Sequence, residues 1–275
     1  MSGGDAPGPP PERHGTNLVG VPAALIGSAV FNAHPVRLRI HGTRESARGL
    51  FHLLDTAGSP AEAGAMFRHF MSLRFGLQPD PAARQRAERL RWRSSYLRLL
   101  EGWGFDSNSP AASVLKGWVE SRFGLVPSFH GAPLDLFPSP AWVAYIESKM
   151  HSRFHNNCIN QQLDLLYEFC QWSVRRFGLP ARGRIPVWRG VNGLAEHRLR
   201  EGSLRARDCV LYLNNLVSFS LTRERAESFG DWVLATEVPV QKLLFFPGLL
   251  GPSLLAGEGE VIALGGDYRV QASYW

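Results

Sequence analysis

Two carboxylates stand two residues apart in Gly257-Glu258-Gly259-Glu260, and the apolar run Val261-Ile262-Ala263-Leu264 follows at once. Glycines before a β-branched run mark the entrance of a strand, where side chains at i and i+2 share one side. Glu258 and Glu260 can therefore address one substrate together. A Glu-x-Glu is common, however, and by itself usually marks a solvated strand edge, so the pair needs support from elsewhere in the chain. Three segments supply it. Ile185-Pro186-Val187-Trp188-Arg189-Gly190-Val191 reads as a strand ending in an aromatic, an Arg and a Gly. Val217-Ser218-Phe219-Ser220-Leu221-Thr222 reads as a strand whose exit presents the hydroxyls of Ser218 and Ser220, and Ala226 to Phe229 form an apolar wall in the helical turn after it.

The elements that must position these groups divide the chain. From Arg184 onward, β-branched and aromatic runs separated by turn residues predict strands over 185–191, 209–221, 232–240, 242–246, 261–264 and 268–275. Before that the signals are helical. Ser59-Pro60-Ala61-Glu62 is a capping box with Pro at the first helical position, and Ser109-Pro110 and Ser139-Pro140 repeat the Ser cap followed by Pro. Arg-Phe-Gly-Leu closes three segments, at 74–77, 122–125 and 176–179: a basic last turn, a Gly free to take positive φ and an apolar residue after it describe a helix end. Recurring cap chemistry explains the three copies as well as a degenerate repeat would. Leu166, Phe169, Cys170, Ser173 and Phe177 mark a buried stripe on a long helix over 140–178. A further helix is expected over 84–103, with Leu90, Tyr96, Leu97 and Leu100 inward and a basic set from Arg84 to Arg98 around it. The fold class is α+β: a Gly- and Pro-rich tail over 1–13, a mainly helical region over 14–135, and a region over 136–275 that carries the long helix and then the strands.

Composition bounds the partners. The chain has 275 residues, 44% of them hydrophobic, enough for a real core. Its net charge of +6, carried mostly by Arg, favours an anionic partner: a nucleotide pyrophosphate, an acidic protein surface or nucleic acid. Cys158, Cys170 and Cys209 are odd in number and lack CxxC spacing, which fits reduced thiols in the cytoplasm. The apolar stretch 19–31 is too short to span a bilayer and lies behind a Pro-rich segment with no basic flank, so it reads as buried chain; no membrane span is expected.

Arg, then Ser-x-Ser, then Glu-x-Glu, in that order on three strands, resembles the Arg-Ser-Glu signature of mono-ADP-ribosyltransferases, and covers about the last third of the chain. His14-Gly15-Thr16-Asn17, Asn32-Ala33-His34-Pro35 and Ile40-His41-Gly42-Thr43-Arg44-Glu45 extend a closer likeness, nearly end to end, to the bacterial dinitrogenase reductase ADP-ribosyltransferases. The resemblance implies a split β-sheet core that binds NAD in a cleft. It also implies transfer of ADP-ribose to an arginine of the nitrogenase iron protein with release of nicotinamide, a reversible switch on nitrogen fixation, and a P-II-type nitrogen-signalling protein as regulator. NAD is then a co-substrate and no metal is expected. On this resemblance Glu260 would hold the 2′-hydroxyl of the ribose and stabilise positive charge, Arg189 would grip pyrophosphate or ribose, and Gly190 would let the backbone approach the nicotinamide amide. Ser218 would bond the ribose and orient Glu260, Ser220 and Phe229 would complete the NAD site, and Glu258 would take the acceptor guanidinium. Two features depart from the general pattern. Phe219 stands at the centre of the Ser-x-Ser, and the loop over 247–257 offers Leu249, Leu250, Leu254 and Leu255, which suit either docking or burial.

Three other readings use different residues. His41-Gly42-Thr43 after Val36, Leu38 and Ile40 resembles the His-Gly start of the polymerase-like branch of the same superfamily. His151, His155 and Cys158 have helical spacing able to meet one metal, without a local fourth ligand. The Arg84–Arg98 set, with Trp92 and Tyr96 interleaved, suits a non-catalytic basic module binding nucleic acid or an acidic protein; the Glu258/Glu260 pair would repel phosphate at the sheet edge, so nucleic acid is the less expected partner.

Overall fold

The computed structural model describes residues 17–77, 94–150, 154, 158–178, 183–193, 196–251 and 260–274. In chain order the helices are α1 (Ala23–Ile26), α2 (Ala29–Ala33), α3 (Thr43–Ser46), α4 (Arg48–Leu54), α5 (Pro60–Phe75), α6 (Tyr96–Phe105), α7 (Pro110–Phe123), α8 (Pro140–Met150), α9 (Ile159–Phe177) and α10 (Arg223–Glu227). The strands are β1 (Arg184–Val191), β2 (Arg198–Gly202), β3 (Asp208–Ser220), β4 (Trp232–Pro239), β5 (Leu243–Phe245) and β6 (Glu260–Tyr274). The α+β class is as expected.

The caps operate as the sequence indicates. Ser59 accepts from Glu62 N, Ser109 from Ala112 N and Ser139 from Trp142 N, each satisfying an amide that the first helical turn leaves open. The three Arg-Phe-Gly-Leu copies end α5, α7 and α9 with Gly76, Gly124 and Gly178 at φ of 64°, 71° and 68°.

Helix α9 is the axis of the molecule and is buried on every face from Gln162 to Val174. Its polar residues therefore need partners, and each finds one in a different element. Gln162 accepts from Tyr96 N at 3.0 Å. Asp164 takes Trp118 Nε1 at 2.8 Å and a two-pronged Arg122, and Glu168 takes Ile40 N and Arg44. Gln171 donates to Val240 O and Leu243 O. One buried apolar cluster runs from Val19 to Ala272, so the helical region and the strand region share a single core.

The six strands form one antiparallel sheet in the order β2-β3-β1-β4-β6-β5, with β3 also paired to β6. β3 pairs with β6 along most of its length, β2 and β5 flank them, and β1 pairs with β4. These pairs join at two places. Ala235 and Trp232 of β4 meet Gln271 and Tyr274 of β6, and Trp188 of β1 meets Ser220 of β3.

Several expectations change. The helix expected over 140–178 is two helices, because Cys158 sits at φ 53°, a left-handed conformation no helix interior accepts, and caps α9. The helix expected over 84–103 has its described part begin at the Ser95 cap, whose side chain accepts from Arg98 N; residues 78–93 lie outside the described ones. Segments 261–264 and 268–275 are one strand. Gly265 and Gly266 do not break β6 but allow close approach: a Cβ on Gly265 would meet Asn214 O at 1.5 Å, and one on Gly266, at φ 112°, would meet Gly27 O at 2.4 Å. β2 carries no apolar pattern, since all five of its residues are exposed. Leu249 and Leu250 turn inward and are buried; Leu254 and Leu255 lie outside the described residues. Val36, Leu38 and Ile40 form no strand.

Candidate functional site

A cavity of about 540 Å³ opens where β1, paired with β4 along its whole length, meets the end of β3 at Trp188 and Ser220. That size is in the range of small-molecule sites. Arg189, Gly190, Ser218, Ser220, Phe229 and Glu260, all singled out in the sequence, line it. Pairing explains the convergence. Ser220 lies opposite Glu260 on one side and Trp188 on the other, so the end of β3 is wedged between the start of β6 and the end of β1. Ser218 is two residues back on the same face, diagonal to Glu260, a separation that side chains bridge. Its hydroxyl donates to Glu260 Oε1. The backbone carbonyl of the same residue accepts from Arg189 Nη1 at 2.9 Å. Ser218 thus links the Arg and the Glu.

Glu258 lies outside the described residues, two positions before the Glu260 that opens β6. Gly190 has a packing reason to be Gly. A Cβ there would lie 2.0 Å from Ala226 O and 3.0 Å from Phe229 Cβ, so the end of α10 presses directly on β1 and sets the Phe229 ring, itself half exposed, at the cavity.

Three groups that the sequence reading missed complete the wall. Arg189 Nη2 lies 3.4 Å from Glu196 Oε2 and its Nε lies 3.4 Å from His197 Nε2. Burial pushes the Arg189 guanidinium below its ordinary range, while Glu196 and Glu260 favour its charge. His197 is buried and pushed down to about 3, by burial first and by the Arg189 cation second, so at neutral pH it is an uncharged ring presenting Nε2 as acceptor. The third group is Trp103 of α6, whose indole N–H donates to Ser218 Oγ at 2.6 Å. Nothing in the sequence ties position 103 to position 218, and Glu196 and His197 precede a strand with no pattern of its own. Gly104, Phe105 and Asp106 continue the same wall, with Phe105 almost wholly exposed at the rim.

Behind Trp103 lies Lys116, buried, with Nζ donating to Phe129 O at 2.8 Å and standing 6.0 Å from the Trp103 ring centre. Burial pulls its amine down to about 8, against the pull of Glu196 and Asp106.

The described members of the alternative sets do not line this cavity. His41 is exposed and its amide donates to Leu18 O, while Gly42 opens α3. Among the described residues no three His, Cys, Asp or Glu gather into a group able to hold a metal; Cys158 is exposed, and His151 and His155 lie outside them. Of the basic set, Arg98 is described, on the exposed face of α6 and paired with Glu101 at 2.6 Å. No helix among the described residues is long and apolar enough to cross a membrane.

The arrangement can orient a carboxylate through a hydroxyl, keep a guanidinium fork beside it and offer aromatic surfaces around both. Residues 16–272 match the family model described as dinitrogenase reductase ADP-ribosyltransferase (DRAT). A curated protein of Rhodospirillum rubrum, named NAD(+)--dinitrogen-reductase ADP-D-ribosyltransferase, is 50% identical over 264 residues, 95% of each chain. No solved structure matches. With its family model spanning nearly the whole sequence and a relative of this identity covering as much, the chain belongs to the dinitrogenase reductase ADP-ribosyltransferase family.

Proposed function

We propose that the chain transfers ADP-ribose from NAD to an arginine of the nitrogenase iron protein, releasing nicotinamide, and so acts in the cytoplasm as a reversible switch on nitrogen fixation. The observation that carries the reading is the convergence on Ser218: its carbonyl accepts from Arg189 and its hydroxyl donates to Glu260, in the lining of a cavity of about 540 Å³. A split β-sheet core that binds NAD in a cleft is the architecture that the resemblance to mono-ADP-ribosyltransferases implies.

The residues fit the co-substrate. Arg189 offers two nitrogens of a rigid fork suited to pyrophosphate, and burial strengthens that attraction. Phe229 and Trp188 supply flat apolar walls. The bond from the ribose to nicotinamide stretches and breaks, nicotinamide leaves with the electron pair, and the positive charge left on the ribose is met by the Glu260 carboxylate. Because the Ser218 proton is committed to Glu260, Ser218 can offer the ribose only a lone pair, and so accepts from it. Glu258 takes the proton that the acceptor guanidinium loses as its nitrogen bonds to the ribose carbon. A P-II-type nitrogen-signalling protein as regulator belongs to the same proposal.

The test is to incubate the purified chain with the iron protein and NAD labelled in the adenylate half. Label on an iron-protein arginine, with one nicotinamide released per label, is the expected result; nicotinamide release without label would remove the acceptor from the proposal, and neither would overturn it.

A further inference from the structure

We infer that Trp103, delivered from the helical region, is a positioning residue of the reaction: its indole N–H fixes the Ser218 hydroxyl so that its proton is directed to Glu260. The inference rests on the proposed function of the same site.

A serine hydroxyl has one proton and two lone pairs, and its oxygen turns among three staggered positions. The indole N–H is a donor only. With Trp103 Nε1 2.6 Å from Ser218 Oγ, that contact consumes a lone pair and leaves the proton free to go to Glu260 Oε1, where the second contact lies. The direction of the relay, Trp103 to Ser218 to Glu260, is therefore set by chemistry. Donation into the oxygen also polarises the hydroxyl and strengthens its onward bond.

Trp103 is itself locked. It is buried at the end of α6, and the preceding Gly102 packs so closely on α7 that a Cβ there would lie 2.6 Å from Ala111 Cβ. The start of the same helix is pinned by Tyr96 N on Gln162 of α9. The α6–α7 pair is thus built to hold one donor against β3. On this account the helical region completes the catalytic relay, whatever else it does in recognising partners.

The experiment changes one atom group. Trp103 is replaced by β-(3-benzothienyl)alanine, a ring of nearly the same shape with sulfur in place of N–H, and nicotinamide release from NAD is followed alone and in the presence of iron protein. The expected result is a fall in kcat of about ten-fold or more, with KM for NAD within about two-fold, the range for a hydrogen bond in a charged relay. On a Ser218→Ala background the same replacement should add nothing, because the two residues act as one unit. Trp103→Phe serves as a second variant, with thermal unfolding as the check on folding. An unchanged kcat, an equal loss on the Ser218→Ala background, or a raised KM at constant kcat would each overturn the inference; the last would leave Trp103 as a wall of the NAD site and nothing more. A wild-type chain that releases no nicotinamide would instead overturn the proposed function.

Discussion

Lys242 lies at the end of a 3-10 turn, Val240–Lys242, with no exposure to solvent, its Nζ 3.0 Å from Gly265 O and 4.8 and 5.5 Å from the ring centres of Tyr268 and Phe31. Burial pulls the amine down to about 7, against a weaker pull from Asp267. The folded pKa is thus below the unfolded value of about 10.4. Between those two values the unfolded chain holds a proton the folded chain lacks, so this group makes stability rise with pH across the window from about 7 to 10.4; below pH 7 its full cost is present. Integrating the linkage relation from pH 6 to pH 9 gives a gain of about 3 kcal/mol from this one side chain. Lys242→Met keeps the length and removes the titration. It also leaves the Gly265 carbonyl without its donor, a cost of about 1–3 kcal/mol that does not vary with pH. Urea denaturation of both proteins at pH 6, 7, 8 and 9 reads the difference directly. The variant is expected to be relatively most stable at pH 6, and the wild type to gain on it by about 3 kcal/mol by pH 9. Stability curves that stay parallel from pH 6 to pH 9 would refute the reasoning, and would mean that the two ring faces keep the ammonium charged despite its burial.

The helix ends and the acid pair give further outcomes. Gly178→Ala meets no atom near its new Cβ and should cost about 1 kcal/mol in denaturant stability, from the left-handed backbone alone. Gly124→Ala carries the same strain and also brings its Cβ to 2.9 Å from Ala23 Cβ, so it should cost measurably more; equal costs would contradict the packing of α1 on the end of α7. Glu258→Gln should lose transfer to arginine while keeping slow NAD hydrolysis, measured as label and nicotinamide in one reaction, and equal loss of both would contradict the division of labour between the acids.

Much of this was legible because it is local chemistry. Ser caps, Pro at the first helical position and Gly at positive φ act within four residues, and so α5, α7 and the end of α9 stand where the sequence puts them. Arg189, Ser218 and Glu260 could be named because their order on three strands resembles the Arg-Ser-Glu signature of mono-ADP-ribosyltransferases, and the three line one cavity. What stayed hidden depends on distance in the chain. Trp103 reaches Ser218 across 115 residues, through a pair of helices whose relation to the sheet no periodicity encodes. His197 and Glu196 flank an exposed strand with no apolar pattern. The break between α8 and α9 rests on the left-handed backbone of Cys158, a residue type that gives no such signal. Gly265-Gly266 misled in the opposite sense, since glycine in a strand can mean close approach as readily as a turn.

The central claim is that Glu260, oriented by Ser218, stabilises the charge that develops on the ribose of NAD. Glu260→Gln keeps the size and an acceptor oxygen but removes the charge. Nicotinamide release and NAD binding by calorimetry, measured on the same preparation, test the claim most directly. The account predicts that turnover falls by about 100-fold or more while NAD affinity stays within a few-fold of the wild type; full turnover in Glu260→Gln would contradict it.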